Sequence, residues 1–255
     1  HDFGKVGVRE GVLVKAKKLY PSQLEFINRR FQYIRKVLEI DAYRKKLDYV
    51  VRNGNQTYQA FFSEIDTAQE KELKQLSDFL QHVLQANEPT VLPEKTSEKL
   101  VEIAGWTFLD PSGPSEPLLS PEELRFLTIP KGSLDPDERV QIESHVIHSF
   151  RFLSQIPWTK ELKGIPEIAR AHHEKLDGSG YPYKMKAEDI PFQSKMMTIS
   201  DIYDALTARD RPYKRAVPVE RALDIIGQEV KSQLLDPVLF QLFIEAKIYH
   251  MTSKE

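Results

Sequence analysis

Apolar residues recur at three- and four-residue steps along much of the chain, which is the period of an amphipathic helix. The first clear run predicts one long helix with a single apolar face, formed by Leu24, Ile27, Phe31, Ile34 and Leu38. Ser22 followed by Glu25 has the spacing of a capping box, so Ser22 is the expected N-cap. The pattern continues to Val51 and stops at the turn-forming Asn53-Gly54-Asn55.

A second helix is predicted from Thr67, where Thr67 and Glu70 again form a capping box. Leu73, Leu76, Leu80 and Val83 mark its apolar face, and Pro89 ends it. Two short helices are expected next, over 97–104 and from Ser120, and the Pro- and Gly-rich stretch 110–117 separates them.

The remaining helices are predicted from Asp135 to Gln155, from Pro166 to His173, from Ile199 to Ala208, from Val217 to Gly227 and from Pro237 to His250. No segment shows the convincing period-2 alternation of a strand. The expected fold class is therefore all-α.

Residues from about 40 to 135 are predicted to form an excursion from the rest of the chain, consisting of two long helices in a hairpin and a Pro-rich return. The apolar face of such a hairpin needs a partner surface. Two partners stay open: the domain itself, or a second copy of the chain in a homodimer.

Composition limits the chemistry. Apolar and charged fractions of 40% and 29% are typical of a globular protein, and a net charge of −2 gives no general attraction to nucleic acid polymers or membrane surfaces. Without cysteine, any metal must bind to nitrogen and oxygen ligands. No apolar run is long enough for a membrane span or a signal peptide, and we expect a cytoplasmic protein.

Several histidines and aspartates are candidate metal ligands, because imidazole nitrogens and carboxylate oxygens suit divalent cations. They are His1, Asp2, His145, His172, His173 and Asp201. Four imidazoles and two carboxylates could hold two cations with one carboxylate bridging, an arrangement suited to phosphoester hydrolysis. Taken singly, an Asp or His on a helix is more often a surface or core residue than a metal ligand.

Two further segments could contact a substrate. Asp177-Gly178-Ser179-Gly180 is a turn in which glycine allows close approach to the backbone, and Tyr181-Pro182 follows it. The basic segment 211–215 contains Arg211 and Lys214, which suit phosphate oxygens, although short basic runs are usually solvated surface.

Five of these elements, in this order, resemble the HD-GYP family, a branch of the HD metal-dependent phosphohydrolases. They are His1-Asp2-Phe3-Gly4-Lys5, the helical His145, residues 172–182 (His-His-Glu through Gly-Tyr-Pro), residues 201–207 and Arg211-Pro212-Tyr213-Lys214. The resemblance covers 1–20 and about 135–245 and implies an HD-domain helical bundle. It implies a catalytic domain made of residues 1–20 and 135–255, with 21–134 as a helical insertion. It also implies a further ligand and a sensor or regulatory domain upstream of His1.

The resemblance also implies roles for single residues. The six candidates above would bind two or three divalent ions, with iron or manganese expected first and nickel, zinc or magnesium as further candidates. Asp2 would bridge two ions and share the activated water. Lys5, Arg211 and Lys214 would contact phosphate, and Gly180 and Tyr181 would lie on the substrate side.

The activity that the resemblance implies is hydrolysis of cyclic di-GMP to linear pGpG or GMP. Cyclic GMP-AMP is an alternative substrate, and a phosphatase for a nucleotide monophosphate or for (p)ppGpp is a third possibility. A different class of function also stays open, in which the chain is a non-catalytic signalling module. Its Gly-Tyr-Pro loop and insertion would then dock a diguanylate cyclase domain.

Overall fold

The computed structural model describes residues 1–54, 58–108, 116–208 and 216–251. These residues are mostly helical, which confirms the predicted all-α class. They divide into two compact units, one made of His1–Val14 with Pro136–Glu255 and the other of Lys15–Asp135. None of the described helices is both long and apolar enough to cross a bilayer.

The described residues of the Lys15–Asp135 unit form four helices: α2 (Pro21–Asn53), α3 (Tyr58–Ala86), α4 (Glu94–Gly105) and α5 (Pro121–Leu127). α2 and α3 form the predicted hairpin. The predicted apolar face of α2 is correct, because Ile27, Phe31 and Ile34 are buried in the core of this unit. From α3 the core receives Leu76, Phe79 and Val83, and from α4 Leu100 and Ile103.

The predicted starts of the two long helices are wrong. Tyr20, not Ser22, is the N-cap of α2, and the Gln23 side chain accepts a hydrogen bond from the Tyr20 backbone N–H at 3.0 Å. Pro21 occupies the first turn, where its missing N–H costs no intrahelical bond. α3 begins at Tyr58, well before Thr67, whose hydroxyl instead donates to the Ser63 carbonyl within the helix.

A two-stranded antiparallel sheet, β1 (Thr107–Phe108) with β2 (Glu116–Pro117), corrects the expectation that no strand forms. Phe108 pairs with Glu116 across this sheet. With two residues on each strand, no alternation could be visible in the sequence. The α5 capping box is as predicted: Ser120 Oγ accepts from the Glu123 N–H, and Glu123 accepts from the Ser120 N–H.

The other unit begins with a short 3-10 helix, Asp2–Gly7, and α1 (Glu10–Leu13). Five α-helices follow in the part after residue 135 that the structure describes. These are α6 (Pro136–Leu153), α7 (Ile165–Arg170), α8 (Phe192–Thr207), α9 (Val219–Lys231) and α10 (Pro237–Glu245). α7 ends before His172, and α8 starts seven residues before the predicted Ile199. The chain after α10 turns into a second 3-10 helix, Ile248–His250, where the prediction continued the α-helix. A second core joins α8, α9 and α10 through Ile199, Tyr203, Ala222, Ile226, Leu239 and Phe243.

Candidate metal centre

The N-terminal 3-10 helix lies directly against α6 because Gly4 has no side chain. A Cβ on Gly4 would lie 1.9 Å from the His145 carbonyl oxygen and 2.5 Å from the Ser149 nitrogen. The Gly4 N–H donates to Ser149 Oγ at 2.8 Å, which fixes this close approach. Asp2 is thereby held beside His145, with Oδ1 3.3 Å from Nε2.

The adjacent histidines follow the C-terminal end of α7 and lie next to α8. The Thr198 hydroxyl is 2.7 Å from the His172 carbonyl oxygen and so joins α8 to this segment. Asp201 lies almost one turn further along α8, with its Oδ2 3.9 Å from His173 Nδ1. Helix ends and one helix face therefore direct these side chains to one place.

The six predicted ligands form two groups with a common member. In the first, Asp2, His145, His172 and His173 offer ligand atoms that all lie within 4.8 Å of one another. The second consists of His1, His172 and Asp201, within the same limit. Asp2 also reaches this second group, since its Oδ2 lies 3.5 Å from His1 Nε2. The structure thus brings together all six residues that the sequence nominated.

Two of the histidines have one ring nitrogen fixed by the backbone. The Ile142 carbonyl lies 2.6 Å from His145 Nδ1, and the Ala169 carbonyl lies 2.5 Å from His172 Nδ1. A carbonyl can only accept, so Nδ1 carries the proton and the neutral ring keeps its lone pair on Nε2. Metal-ligating histidines usually show this arrangement.

The atoms that face the centre lack hydrogen-bond partners. Asp2 Oδ1, His145 Nε2 and His172 Nε2 are all buried without one. An unpaired buried polar atom is costly, and three acceptors that converge on one point repel one another. A divalent cation between them removes both penalties, so the residues present fit a metal ion.

The electrostatics of the side chains also suit metal ligands. Burial lowers the pKa values of His172 and His173, which keeps both rings neutral with lone pairs available. Burial alone would raise the pKa of Asp2, but the hydrogen bond and positive charge of Lys5 outweigh burial and hold the pKa below its usual range. The pKa of Asp201 is lowered as well, because its hydrogen bond with His1 offsets the effect of burial.

Of the three residues predicted to contact phosphate, only Lys5 lies within the described part of the structure. Lys5 Nζ lies 2.6 Å from Asp2 Oδ2, at the rim of the centre, and its side chain is partly exposed. Arg211 and Lys214 lie outside the described residues, so their assignment to phosphate stays a prediction.

The Gly-Tyr-Pro loop packs against the segment that carries the histidines. A Cβ on Gly180 would lie 2.3 Å from the Lys175 nitrogen, so only glycine allows this contact. The Tyr181 N–H donates to the His173 carbonyl at 3.2 Å, and the two rings lie 4.7 Å apart. Gly180 and Tyr181 are thus adjacent to a ligand, and burial raises the pKa of Tyr181 so that its hydroxyl stays protonated.

A cleft of about 390 Å³ lies between this loop and α6. The loop contributes Gly180, Tyr181 and Lys184, and α6 contributes Glu143 and Ile147. Both apolar and polar side chains line it, as is common in sites that bind organic ligands. The cleft borders the centre through Tyr181.

Three residues matter to the site that the sequence did not single out. The buried Glu174 carboxylate accepts hydrogen bonds from the Tyr183 and Met185 N–H groups, at 2.7 and 2.9 Å, and so holds the loop. The Arg170 guanidinium lies between the Phe150 and Tyr183 rings, 5.1 and 4.7 Å from their centroids. The third residue is Thr198, whose hydroxyl donates to the His172 carbonyl. Only Glu174 carried a visible signal, because it directly follows the histidine pair.

Comparison with known proteins agrees with this geometry. Residues 118–239 match the family model described as HD domain. A 3'3'-cGAMP-specific phosphodiesterase 3 of Vibrio cholerae is 35% identical over 109 residues, which is 43% of this chain and 23% of that protein. A probable cyclic di-GMP phosphodiesterase of the same organism is 32% identical over 157 residues, or 58% of this chain and 35% of that protein.

A cyclic di-GMP phosphodiesterase of Thermotoga maritima is 35% identical over 114 residues, 45% of this chain and 30% of that protein. The chain therefore spans about a third or less of the length of these relatives. Within that span, the family match and the order of the motifs point to the same assignment. Residues 118–239 therefore match an HD domain, and these relatives of the chain are named as phosphodiesterases of cyclic di-GMP or 3'3'-cGAMP.

Proposed function

We propose that this chain hydrolyses a phosphodiester bond of a cyclic dinucleotide, with cyclic di-GMP as the first candidate and 3'3'-cGAMP as the second. The observation that carries the proposal is the convergence of Asp2 Oδ1, His145 Nε2 and His172 Nε2, which are buried without hydrogen-bond partners. The names of the relatives support the substrate class.

The two ligand groups favour two divalent ions, one beside Asp2, His145, His172 and His173 and the other beside His1 and Asp201. His172 belongs to both groups, but its one lone pair, on Nε2, can bind only one of the two ions. Iron or manganese suits this set of nitrogen and oxygen donors, and nickel, zinc or magnesium are further candidates. When bound, such ions supply Lewis acidity toward a phosphoryl oxygen and lower the pKa of a water molecule.

The chain's own residues then have separate tasks. Asp2 presents one carboxylate oxygen to each ligand group, since Oδ1 lies near His145 and Oδ2 near His1. Lys5 neutralises Asp2 in the structure and can turn to a phosphate oxygen, because its side chain is partly exposed. Tyr181 forms the wall between the ligands and the cleft, where its protonated hydroxyl can donate a hydrogen bond.

The test uses the whole chain, loaded with Mn²⁺ or, without oxygen, with Fe²⁺. Cyclic di-GMP and 3'3'-cGAMP are supplied separately, and chromatography follows the appearance of linear dinucleotide and mononucleotide. We expect hydrolysis of at least one substrate. Asp2→Asn should lower the rate by about 100-fold or more, since removal of an essential catalytic charge commonly costs that much.

His250→Ala is the matched control, because His250 is exposed and lies in the last 3-10 helix, outside both ligand groups. It should leave the rate unchanged. If the metal-loaded chain leaves both dinucleotides intact, the proposal is wrong. The non-catalytic alternative then gains support if a diguanylate cyclase domain binds the chain and Tyr181→Ala removes that binding.

A further inference from the structure

One face of helix α6 forms a wall of the cleft beside the metal centre. Its four cleft residues follow one another at three- and four-residue steps, as on a single helical face: Val140, Glu143, Ser144 and Ile147. The Gly-Tyr-Pro loop forms the other wall. Since His145 directly follows Ser144, the same helix carries a candidate ligand and this wall side by side. A substrate whose phosphate reaches the ligands can therefore extend into the cleft.

The cleft has the size of one nucleobase. Its volume is about 390 Å³. A molecule of liquid water takes about 30 Å³, so roughly a dozen non-hydrogen atoms fit. A purine base is of this size, whereas a whole cyclic dinucleotide is several times larger. Ile147, Tyr181 and Pro182 offer apolar and aromatic surface against which a planar base can pack.

Glu143 places a negative charge in this cleft. Its side chain is half-buried, and in the part of the chain that the structure describes no hydrogen bond or ion pair joins its carboxylate to another residue. A carboxylate repels the phosphates of a dinucleotide and can only accept hydrogen bonds. The part of a substrate that lies beside Glu143 must therefore be uncharged and must donate.

Guanine presents the donors that such a carboxylate needs. Its N1–H and its N2 amino group stand side by side on the Watson–Crick edge, an edge that proteins read when a base is unpaired. The two oxygens of a carboxylate can accept one hydrogen bond from each. Adenine has a donor at N6 but an acceptor at N1, so one carboxylate oxygen would face a lone pair. A carboxylate at this place thus distinguishes the two purines.

The loop supplies a charge of the opposite sign. Lys184 lines the cleft on the loop side, across from α6. Lysine is a common partner of guanine O6 and N7, the two acceptors on the other edge of the base. Within the described ranges Lys184 and Glu143 form no ion pair with each other, so both charges stay available to a ligand. Together they complement both edges of guanine.

We propose that this cleft binds one guanine base of the cyclic dinucleotide, and that Glu143 determines the specificity by accepting hydrogen bonds from guanine N1–H and the N2 amino group. This inference rests on the proposed function, because it takes the phosphodiester to lie at the ligands with a base beside it. Cyclic di-GMP and 3'3'-cGAMP both contain guanine, so the cleft suits either of them and disfavours a dinucleotide that contains only adenine.

Equilibrium binding of mononucleotides tests the cleft apart from hydrolysis. GMP, IMP and AMP are titrated separately into the whole Mn²⁺-loaded chain and followed by calorimetry. They share ribose and phosphate, so differences in affinity report the base alone, and IMP keeps the N1–H of guanine but lacks its N2 amino group. We expect GMP to bind most tightly, IMP about tenfold more weakly and AMP more weakly still, because each hydrogen bond to a charged group contributes about this factor.

Glu143→Gln should weaken the binding of GMP by about tenfold or more. AMP binding should not weaken, because the amide offers a donor to adenine N1 and an acceptor to its N6 amino group. Glu161→Gln is the matched control, since Glu161 is exposed between α6 and α7 and does not line the cleft. It should keep the wild-type preference for GMP. Circular dichroism checks that both variants keep their helices.

The proposal is overturned if the wild-type chain binds AMP as tightly as GMP, or binds none of the three nucleotides. It is also overturned if folded Glu143→Gln keeps the wild-type preference. The hydrolysis assay has a separate outcome. A preference for GMP that depends on Glu143, in a chain that leaves both dinucleotides intact, would contradict the proposed hydrolysis and leave the guanine site standing. Cleavage of the dinucleotides without any preference for GMP would do the reverse.

Discussion

At the scale of single residues, the site depends on backbone atoms as much as on side chains. The carbonyls of Ile142 and Ala169 hold the rings of His145 and His172 so that Nε2 faces the centre. Gly4 and Gly180 allow the segments that carry the ligands and the loop to touch their neighbours. Small changes in these supporting residues should therefore be felt at the metal centre.

Gly4→Ala tests this support. The added methyl would meet backbone on α6, 1.9 Å from the His145 oxygen, and backbone cannot move aside as a side chain can. We expect the free energy of unfolding to fall by about 1–3 kcal/mol, the usual cost of overpacking, together with weaker metal binding. Denaturant unfolding and metal titration measure the two effects.

Gly164→Ala is the control for Gly4→Ala. Gly164 is the N-cap of α7 and lies in the same unit as Gly4. A Cβ on Gly164 would meet nothing within 4 Å. Its stability should change little. Equal losses of stability in both variants would show that the close approach of Gly4 to α6 is not the cause of the loss in Gly4→Ala.

The candidate ligands could be predicted from the sequence because their chemistry is carried by residue type and motif order. The groups that hold these ligands in position could not be predicted. The carbonyls of Ile142 and Ala169 belong to residues whose side chains give no hint of the role. Gly4 is visible as a glycine, yet only the packing against α6 shows what its missing Cβ avoids.

At the scale of elements, the loop after the histidine pair is held by one side chain. Both oxygens of Glu174 accept backbone N–H groups, from Tyr183 and Met185. An isolated bridge between Asp177 and Lys186 closes the base of the loop. The position of Tyr181 thus depends on Glu174, which does not itself touch the cleft.

Glu174→Gln should loosen the loop. An amide has only one accepting oxygen, so one of the two backbone N–H groups would face the NH₂ donor of the glutamine. The free energy that holds the loop should fall by about 1–3 kcal/mol, the usual cost of an unpaired buried group. We expect KM for the dinucleotide to rise more than kcat falls, with metal content unchanged. Steady-state kinetics measure this, and the exposed Glu188→Gln should behave as wild type. A loss of metal from Glu174→Gln would show instead that Glu174 supports the ligands directly.

The other unit has its own buried ion pair. Arg30 on α2 donates to both oxygens of Glu123 on α5, at 2.8 and 3.2 Å, and Glu123 is 6% exposed. Arg30→Met should destabilise the chain by about 2–4 kcal/mol, because a carboxylate would remain buried without its partner. Thermal or urea unfolding measures the loss.

Arg29→Met is the neighbouring comparison. Arg29 pairs with Glu25 on the exposed surface of α2, where an ion pair contributes only about 0.5 kcal/mol. If both variants lose the same stability, burial does not decide the strength of these pairs.

Helix identity could be predicted from apolar spacing, whereas helix starts could not. Ser22 and Thr67 both stand at capping-box spacing, yet Tyr20 caps α2 and Thr67 lies inside α3. A capping box only marks a possible start, and the packing of the surrounding turns decides whether the helix begins there. Arg30 and Glu123 are far apart in sequence, so no local pattern reveals their contact.

At the scale of the whole molecule, the chain consists of two compact units with separate cores. The division into two parts that the sequence predicts rests on the helical hairpin with its Pro-rich return and on the motif order, and it stays a prediction. That the Lys15–Asp135 unit is an insertion into the HD domain stays a proposal. All six candidate ligands lie in the other unit.

Metal binding should therefore protect one unit and not the other. A ligand at 100 times its Kd adds about 2.7 kcal/mol to the stability of the part that binds it. Hydrogen exchange followed by mass spectrometry should show slower exchange in α6, the 171–185 segment and α8 when Mn²⁺ is added. Peptides from α3 should be unchanged, and equal protection in α3 would contradict this division.

The central claim is that the six side chains bind divalent metal, and metal stoichiometry tests it most directly. The whole chain is loaded with Mn²⁺, desalted and analysed by inductively coupled plasma mass spectrometry, beside Asp2→Asn and His250→Ala. The two ligand groups predict two ions per chain, retained in His250→Ala and largely lost in Asp2→Asn. A folded wild-type chain that retains no Mn²⁺ and, after the same loading, no iron, nickel or zinc would contradict the account.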